Sequence, residues 1–199
     1  MENKDIMAKA RESLKGHWGI AVGAVLLYAI YEIVIRFLPP TLGTVISLSL
    51  TGAISLGFNT LILALSRRKN AEISQLFEGF SRFWTALAAY LLQGAFIILW
   101  MLLLIIPGLI AAYSYAMTFY ILADNKSMSA FEAIGKSKEM MKGNKWKLLC
   151  LHFRFFWWML LSIITLGIGL IWLIPYMSVS VATFYNDIKN VQFQEVSLA

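Results

Sequence analysis

The sequence predicts an all-α, polytopic membrane protein of about six transmembrane helices, forming one domain over residues 1–199. First, 59% of the residues are apolar and 14% are charged, whereas soluble domains average about 45–50% apolar and about 25% charged residues. Second, the apolar residues fall in blocks near the roughly 20 residues that cross a bilayer. Third, positive charge is concentrated in every second connection between these blocks.

The apolar blocks predict six spans, at residues 18–38, 41–65, 83–106, 109–123, 146–165 and 169–186. The first block lacks a small-x-small cleavage site, so it is predicted to be a span and not a signal peptide. Short turns are predicted at Pro39-Pro40, at Pro107-Gly108 and over residues 165–169. The fourth span would be only about 23 Å long, so it is expected to begin before Pro107 or to lie tilted.

The distribution of basic residues predicts the orientation. Lys and Arg residues precede the first span and recur in the connections 66–82 and 124–147. Because basic residues near span ends are retained in the cytoplasm, both termini and these two connections are predicted to be cytoplasmic. Of the seventeen basic residues, only Arg36 is predicted to lie near the outer side.

Recurring motifs predict three helical-hairpin repeats, at residues 3–70, 71–126 and 127–189. Each repeat begins with an amphipathic segment in which a glycine, spaced about every 63 residues, precedes a tryptophan; these pairs are Gly16 and Trp18, Gly79 and Trp84, and Gly143 and Trp146. The tripeptide Thr-Phe-Tyr occurs at 118–120 and again at 183–185, with Asn59-Thr60-Leu61 in the corresponding place of the first repeat. Shared membrane composition is the alternative explanation, and it stays open.

Two of the amphipathic segments have distinct signals. Helical spacing places a set of apolar side chains on one face of the second segment, namely Ile73, Leu76, Phe77, Phe80, Phe83 and Trp84. In the third segment, Ser129 and Glu132 form a capping-box pattern before a helix that ends at Gly143. The candidate lipid-surface residues are Lys136, Lys138, Lys142, Lys145 and Trp146. They indicate either attraction to anionic lipid or a connector that caps the bundle.

Polar residues inside the predicted spans are the candidate intramembrane site, and they are Glu32, Arg36, Asn59 and Gln93. Glu32 is predicted about 21 Å into the bilayer, so it should face protein or water, pair with Arg36, or be protonated. Small and polar residues also recur every four positions along the second span, at Gly43, Ser47, Thr51, Ser55 and Asn59. This stripe indicates either a helix-packing seam or the lining of a solute path.

The sequence holds little that indicates catalysis. Cys150 and His152 are two residues apart on a helix, so they point to nearly opposite sides and cannot form a catalytic dyad. His17 is too far from His152 in the chain, and lacks a carboxylate partner, to indicate a metal site. Gly167-Ile168-Gly169 lacks the further features of a nucleotide-binding fold. The prediction is therefore a protein without catalytic residues, metal or cofactor, and without a nucleic-acid partner.

Several runs in the second half resemble the bacterial integral membrane family DUF975, a domain of unknown function. The runs are residues 106–115, 119–124, 138–147 and 165–170 together with Pro175-Tyr176. The resemblance covers most of the chain and is less specific in the amino-terminal third. It implies a bacterial, mainly Gram-positive, plasma-membrane protein, and it implies no activity.

Three functions from different classes are consistent with these features. The first is a non-enzymatic membrane protein that organises or regulates the lipid surface or a membrane or cytoplasmic protein partner, with anionic lipid among its ligands. The second is a small-solute transporter or export component. The third, an enzyme, has the weakest support.

Overall fold

A computed structural model describes residues 1–165 and 167–198, with side chains as far as residue 192. The described part is α-helical except for one 3₁₀ segment and short connections, and it contains no strand, which confirms the all-α fold class. The helices are α1 Asn3–Leu14, α2 Trp18–Phe37, α3 Pro40–Ser66, α4 Phe83–Leu103, α5 Ile105–Tyr115, α6 Thr118–Asp124, α7 Ala130–Met140, α8 Lys145–Ile164 and α9 Leu170–Leu198. The 3₁₀ segment is Ile73–Arg82, which lies directly before α4.

Five helical stretches in the described part are long and apolar enough to cross a membrane, judged by length and composition. They are Trp18–Phe37, Pro40–Ser66, Phe83–Leu103, Ile105–Asp124 and Lys145–Ile164. These stretches coincide with the first five predicted spans. The sixth predicted span, 169–186, falls within α9, which is not among the five.

The turn predicted at Pro107-Gly108 lies three residues earlier. Leu104 has an extended backbone, with φ −164° and ψ 147°, and separates α4 from α5. Pro107 occupies the first turn of α5, where a missing N–H costs nothing because first-turn donors have no partner within the helix. Helix α5 therefore begins before Pro107, in line with one of the two expectations for the fourth span, and the helix is interrupted again at Ala116-Met117.

The second amphipathic segment is a 3₁₀ helix, whereas the sequence predicted α-helical spacing. Its backbone packs directly on α3, because Gly57 and Gly79 have no side chain at the crossing. A methyl group on Gly57 would overlap the carbonyl oxygen of Leu76, and one on Gly79 would overlap that of Ala53. The segment therefore packs on α3 through its backbone at Gly79. Phe77, on its predicted apolar face, is exposed.

The first and third amphipathic segments are the α-helices α1 and α7. The predicted capping box of α7 is confirmed: the Ser129 backbone N–H donates to Glu132 Oε2 at 3.0 Å, and the Glu132 N–H donates to Ser129 Oγ at 3.4 Å. Gly16 and Gly143 follow α1 and α7 with φ of 83° and 76°, a conformation that glycine adopts without steric cost.

Helix α1 packs across α9, which brings the start of the chain to the last helix. Its buried face consists of Ile6, Ala10 and Leu14. The Tyr176 hydroxyl donates to the Met7 carbonyl oxygen at 3.2 Å. The spacing of four between the buried residues is the helical period that places them on one side.

Candidate functional site

Asp124, the last residue of α6, is the centre of an ion-pair network. Arg67 binds it with two guanidinium nitrogens, at 2.5 and 3.0 Å, and the Lys189 ammonium also contacts Oδ2. The Tyr185 hydroxyl donates to the same oxygen at 3.0 Å. The Asp124 side chain is 10% exposed, so this bidentate geometry satisfies a largely buried charge.

The network continues from Arg67 into α3 and α9. Arg67 Nε donates to Asn186 Oδ1 at 2.9 Å, and Asn186 Nδ2 donates to Ser66 Oγ at 3.0 Å. The hydrogen bond to Asp124 raises the pKa of Arg67 above its ordinary value. One planar guanidinium therefore joins the ends of α3 and α6 to the interior of α9.

A second carboxylate, Asp187, joins the first residue to α8 and α9. The amino group of Met1 lies 3.3 Å from both Asp187 oxygens, and Lys147 Nζ lies 3.0 Å from Oδ2. Asn3 Nδ2 also donates to the Lys147 carbonyl oxygen at 3.1 Å. We call the end of the bundle that carries Met1, Arg67, Asp124, Lys147 and Lys189 the basic end.

A cleft of about 730 Å³ opens at the basic end. The residues that line it come from α1, from the connection after α3 and from α9; they are Met1, Lys9, Glu12, Ser13, Ser66, Arg67, Arg68, Lys69, Thr183, Asn186, Asp187, Lys189 and Asn190. Arg68 forms an ion pair with Glu12 at 2.8 Å across its rim. Most of the charges around this cleft are therefore paired with one another.

Asp124 and Asp187 are not among the site residues that the sequence predicted. Each lies at or beyond the end of a predicted span, where a charge needs no special explanation. The available signal was the repeated tripeptide, since Asp124 lies four residues after Tyr120 and Lys189 lies four residues after Tyr185. The pairing itself depends on the approach of α6 to α9, which no sequence period records.

Helix α7 is attached to the interruption between α5 and α6 through Ser137. The Ser137 hydroxyl donates to the Ser114 carbonyl oxygen at 2.8 Å and accepts from the Met117 N–H at 3.1 Å. Ser137 is fully buried, with Ala133 and Met140 on the same side of α7. One hydroxyl therefore satisfies two backbone groups at the helix interruption.

Of the candidate lipid-surface residues, Lys136 and Lys138 lie on α7 to either side of the buried Ser137, and Lys142, Lys145 and Trp146 follow the end of the helix. Lys136, Lys138 and Lys142 are exposed, and Lys145 is half-buried. Trp146 is 73% exposed. The apolar side of α7 is thus used for packing within the bundle, and its exposed side carries Glu132 and Glu139 as well as Lys136 and Lys138.

The candidate intramembrane residues are not brought together. Glu32 is half-buried and Arg36 is exposed; in the part of the chain described, neither takes part in a hydrogen bond or an ion pair, so the predicted option of pairing is not realised. Gln93 Oε1 is buried without a hydrogen-bond partner among the described residues. Asn59 Nδ2 donates to the Ser55 carbonyl oxygen at 2.8 Å.

The polar stripe of α3 takes part in helix packing and in a cavity. Thr51 Oγ1 lies 3.1 Å from the Tyr31 hydroxyl and 3.5 Å from Ser47 Oγ, which joins α3 to α2. Farther along, a cavity of about 330 Å³ opens between α2, α3 and α9; its lining is Val25, Tyr28, Ala29, Ser55, Phe58, Asn59, Ile174 and Ser178. Both interpretations of the stripe therefore retain support.

The residues considered for catalysis each have their own surroundings and do not form a common site. Cys150 is a half-buried free thiol, and the His152 ring packs edge-on against Tyr113 with centroids 5.8 Å apart. His17 Nδ1 lies 3.3 Å from the Lys15 carbonyl oxygen. Within residues 1–165 and 167–192, no group of three or more His, Cys, Asp or Glu side chains is arranged to hold a metal ion.

The comparisons with known proteins concern the chain as a whole. The family model described as "Protein of unknown function (DUF975)" matches residues 1–114 and 95–192. No curated protein and no solved structure gives a match. The two matched segments overlap and cover nearly the whole sequence, which confirms the resemblance stated above. The chain belongs to DUF975, a family of unknown function.

Proposed function

We propose that this protein is a non-enzymatic membrane protein that organises or regulates the cytoplasmic surface of a bacterial plasma membrane. The observation that carries the proposal is the fixed orientation of α7. Ser137 holds its apolar side in the bundle, so that Lys136 and Lys138 on α7 and Lys142 just after it are exposed. Exposed lysines near the exposed Trp146 suit anionic headgroups, at about 1 kcal/mol per basic residue near the surface.

The proposed topology places the basic end in the cytoplasm. The support is the concentration of Lys and Arg residues at this end. Reporter fusions at Lys69, Lys138 and the carboxyl terminus should read cytoplasmic, and fusions at Pro40 and Gly167 should read external. Two opposite results would overturn this orientation.

Lipid selectivity tests the role of α7. Spin-labelled phosphatidylglycerol and phosphatidylcholine are compared around the reconstituted protein. The wild type should prefer the anionic lipid, and the quadruple variant K136Q/K138Q/K142Q/K145Q should lose most of that preference. Added salt should weaken it as well, because exposed charges are screened. Equal selectivity in wild type and variant would contradict a lipid-surface role for α7.

A protein partner would bind the same exposed surface. A photo-crosslinking residue at Lys138 in cells, compared with one at Phe37 near the opposite end, tests this. A specific product from position 138 that is lost when K136Q, K142Q and K145Q are added would favour a regulatory or accessory role with a protein.

Transport of a small solute is the second candidate function. It is favoured by the cavity between α2, α3 and α9, where Ser55, Asn59 and Ser178 supply polar groups in an otherwise apolar lining. Flux assays in proteoliposomes, with Asn59→Leu as the comparison, test it. If the wild type carries a flux of any solute, and Asn59→Leu abolishes this flux without loss of folded protein, transport would be the better-supported function.

A further inference from the structure

We propose that one anionic phospholipid binds between α1, α8 and α9, with its phosphate among Lys4, Arg11, Lys15 and Arg154 and an acyl chain in the adjoining tryptophan-lined groove. The inference rests on the membrane location proposed above and names a ligand site separate from α7.

The phosphate site is a cavity of about 690 Å³ in which like charges meet. Four cations line it, and they are Lys4, Arg11, Lys15 and Arg154. Within the described part of the chain none of them forms an ion pair; the lining acid Glu12 pairs with Arg68 at 2.8 Å instead. Among the described residues, Glu12 is therefore the one acid of the lining, and four cations surround it.

Arg154 has the most unusual position of the four. It lies nine residues after Lys145, or about 14 Å along α8, inside the candidate span Lys145–Ile164. A cation at this depth is costly unless it meets water or an anion. Since the charged groups that line its cavity are mostly of the same sign, we infer that a bound lipid supplies the anion that the described residues lack.

An apolar groove adjoins the phosphate site. Its volume is about 450 Å³, and its lining residues outside α1 are Trp18, Trp158, Leu161, Ser162, Thr165, Gly169, Trp172, Leu173 and Tyr176. Met7, Arg11 and Tyr176 line both cavities, so the two are contiguous. A soluble phosphate compound would leave the groove unfilled, whereas a phospholipid supplies both an anionic and an apolar part.

The chemistry of the donors suits a phosphate. Arginine guanidinium groups bind phosphate oxygens with parallel N–H donors, and two arginines occur in this cluster. Anionic lipids are abundant in the cytoplasmic leaflet. The larger cleft at the basic end is a weaker candidate, because Asp124, Asp187 and Glu12 already neutralise much of its positive charge.

Quenching of tryptophan fluorescence by brominated lipids tests the proposal. The full-length protein is reconstituted in phosphatidylcholine vesicles that contain a small, equal fraction of dibromo-phosphatidylglycerol or dibromo-phosphatidylcholine. The anionic brominated lipid should quench more strongly, because it concentrates next to Trp158 and Trp172. In R11Q/R154Q this difference should fall about fivefold for each cation removed. Equal quenching of the wild type by both lipids would overturn the proposal.

Matched variants separate this site from other effects. Arg154→Lys should keep the difference, and K136Q/K138Q should also keep it, since these lysines lie on α7. The variant W158F/W172F should lose most of the quenching difference while it retains the lipid, as counted by native mass spectrometry. If R11Q/R154Q does not fold, W158F/W172F is the deciding variant. An unchanged quenching difference in W158F/W172F would contradict the binding of the acyl chain in the groove.

Two further arms distinguish the alternatives. Inorganic phosphate should not abolish the quenching difference; if it does, the site takes a free phosphate and the lipid proposal is wrong. Vesicle flotation is measured on the same samples. A protein that does not float with the vesicles contradicts the membrane location, whereas one that floats without preferring the anionic lipid contradicts the groove alone.

Discussion

Tyr120 and Tyr185 stack on each other, with ring centroids 5.7 Å apart and an interplanar angle of 22°. Each ends a Thr-Phe-Tyr tripeptide, one in α6 and the other in α9. Four residues after Tyr120 comes Asp124, and four residues after Tyr185 comes Lys189, which contacts it. The two matching segments therefore meet side by side and present opposite charges to each other at the basic end.

Replacement of Asp124 by Asn should destabilise the bundle by about 2–4 kcal/mol. The change leaves Arg67 and Lys189 without their shared carboxylate, and breaking a fully buried pair costs about 3–5 kcal/mol. Because both cations are about a quarter exposed, solvent reduces the loss. Unfolding in mixed detergent, followed by tryptophan fluorescence, measures the difference.

The control for this variant is Lys126→Gln, which removes the exposed pair with Glu78 at 3.5 Å. We expect a change below about 0.5 kcal/mol, since surface pairs contribute little. Similar losses from both variants would contradict a special role for Asp124.

Replacement of Ser137 by Ala should destabilise the protein by about 1–3 kcal/mol. The Met117 N–H would lose its acceptor at the interruption between α5 and α6, and a buried unsatisfied donor costs about that much. Ser49→Ala is the matched control, because the Ser49 hydroxyl donates to Val45 within an exposed part of α3. An equal effect of the two substitutions would show that Ser137 is not needed at the break.

Replacement of Gly57 by Ala should prevent the normal approach of the 3₁₀ segment to α3 and lower the folded yield. The added methyl group would meet the Leu76 backbone, which cannot move aside as a flexible side chain can. Gly94→Ala in α4 is the control, since no atom lies within 4 Å of its added methyl group. That control should be neutral or stabilising by up to about 1 kcal/mol. The size-exclusion profile measures folded yield for both.

Arg68 is a non-glycine residue with a φ of 52°, at the position that follows the end of α3. The Arg68 N–H donates to the Leu65 carbonyl oxygen and the Lys69 N–H donates to that of Ala64, the pattern of a helix cap that glycine usually occupies. We expect Arg68→Gly to be more stable than Arg68→Ala by about 1 kcal/mol. Both variants lose the ion pair with Glu12, so the difference between their free energies of unfolding reports the cost of the positive φ alone. Equal free energies of unfolding would show that the backbone at position 68 is not strained.

Glu32 and Arg36 should behave independently. A double-mutant cycle with Glu32→Gln and Arg36→Gln should give a coupling energy below about 0.5 kcal/mol, as for residues that share no contact. Glu32→Gln alone should leave folded yield equal or higher, because a half-buried carboxylate without a partner is removed. A coupling above about 1 kcal/mol would show that the two side chains pair in the membrane.

The sequence alone determined the helical class, the positions of five apolar helices, the cap of α7 and the family. These features depend on composition, on local periodicity and on residues within one turn, all of which can be read along the chain. The second amphipathic segment is helical as predicted, but its helix type differs from the predicted α-helical spacing. The difference depends on Gly57 and Gly79, at a crossing of two elements that the sequence alone does not reveal.

Only the tertiary structure decided which polar residues meet. Asp124 joins Arg67, Tyr185 and Lys189 across separations of up to 65 residues. Arg154 joins Arg11 in one cavity because α1 packs across α9 near α8. Such contacts depend on the mutual approach of helices, which is set by packing of their whole faces. Local sequence records which face is apolar, and it does not record which neighbour that face will meet.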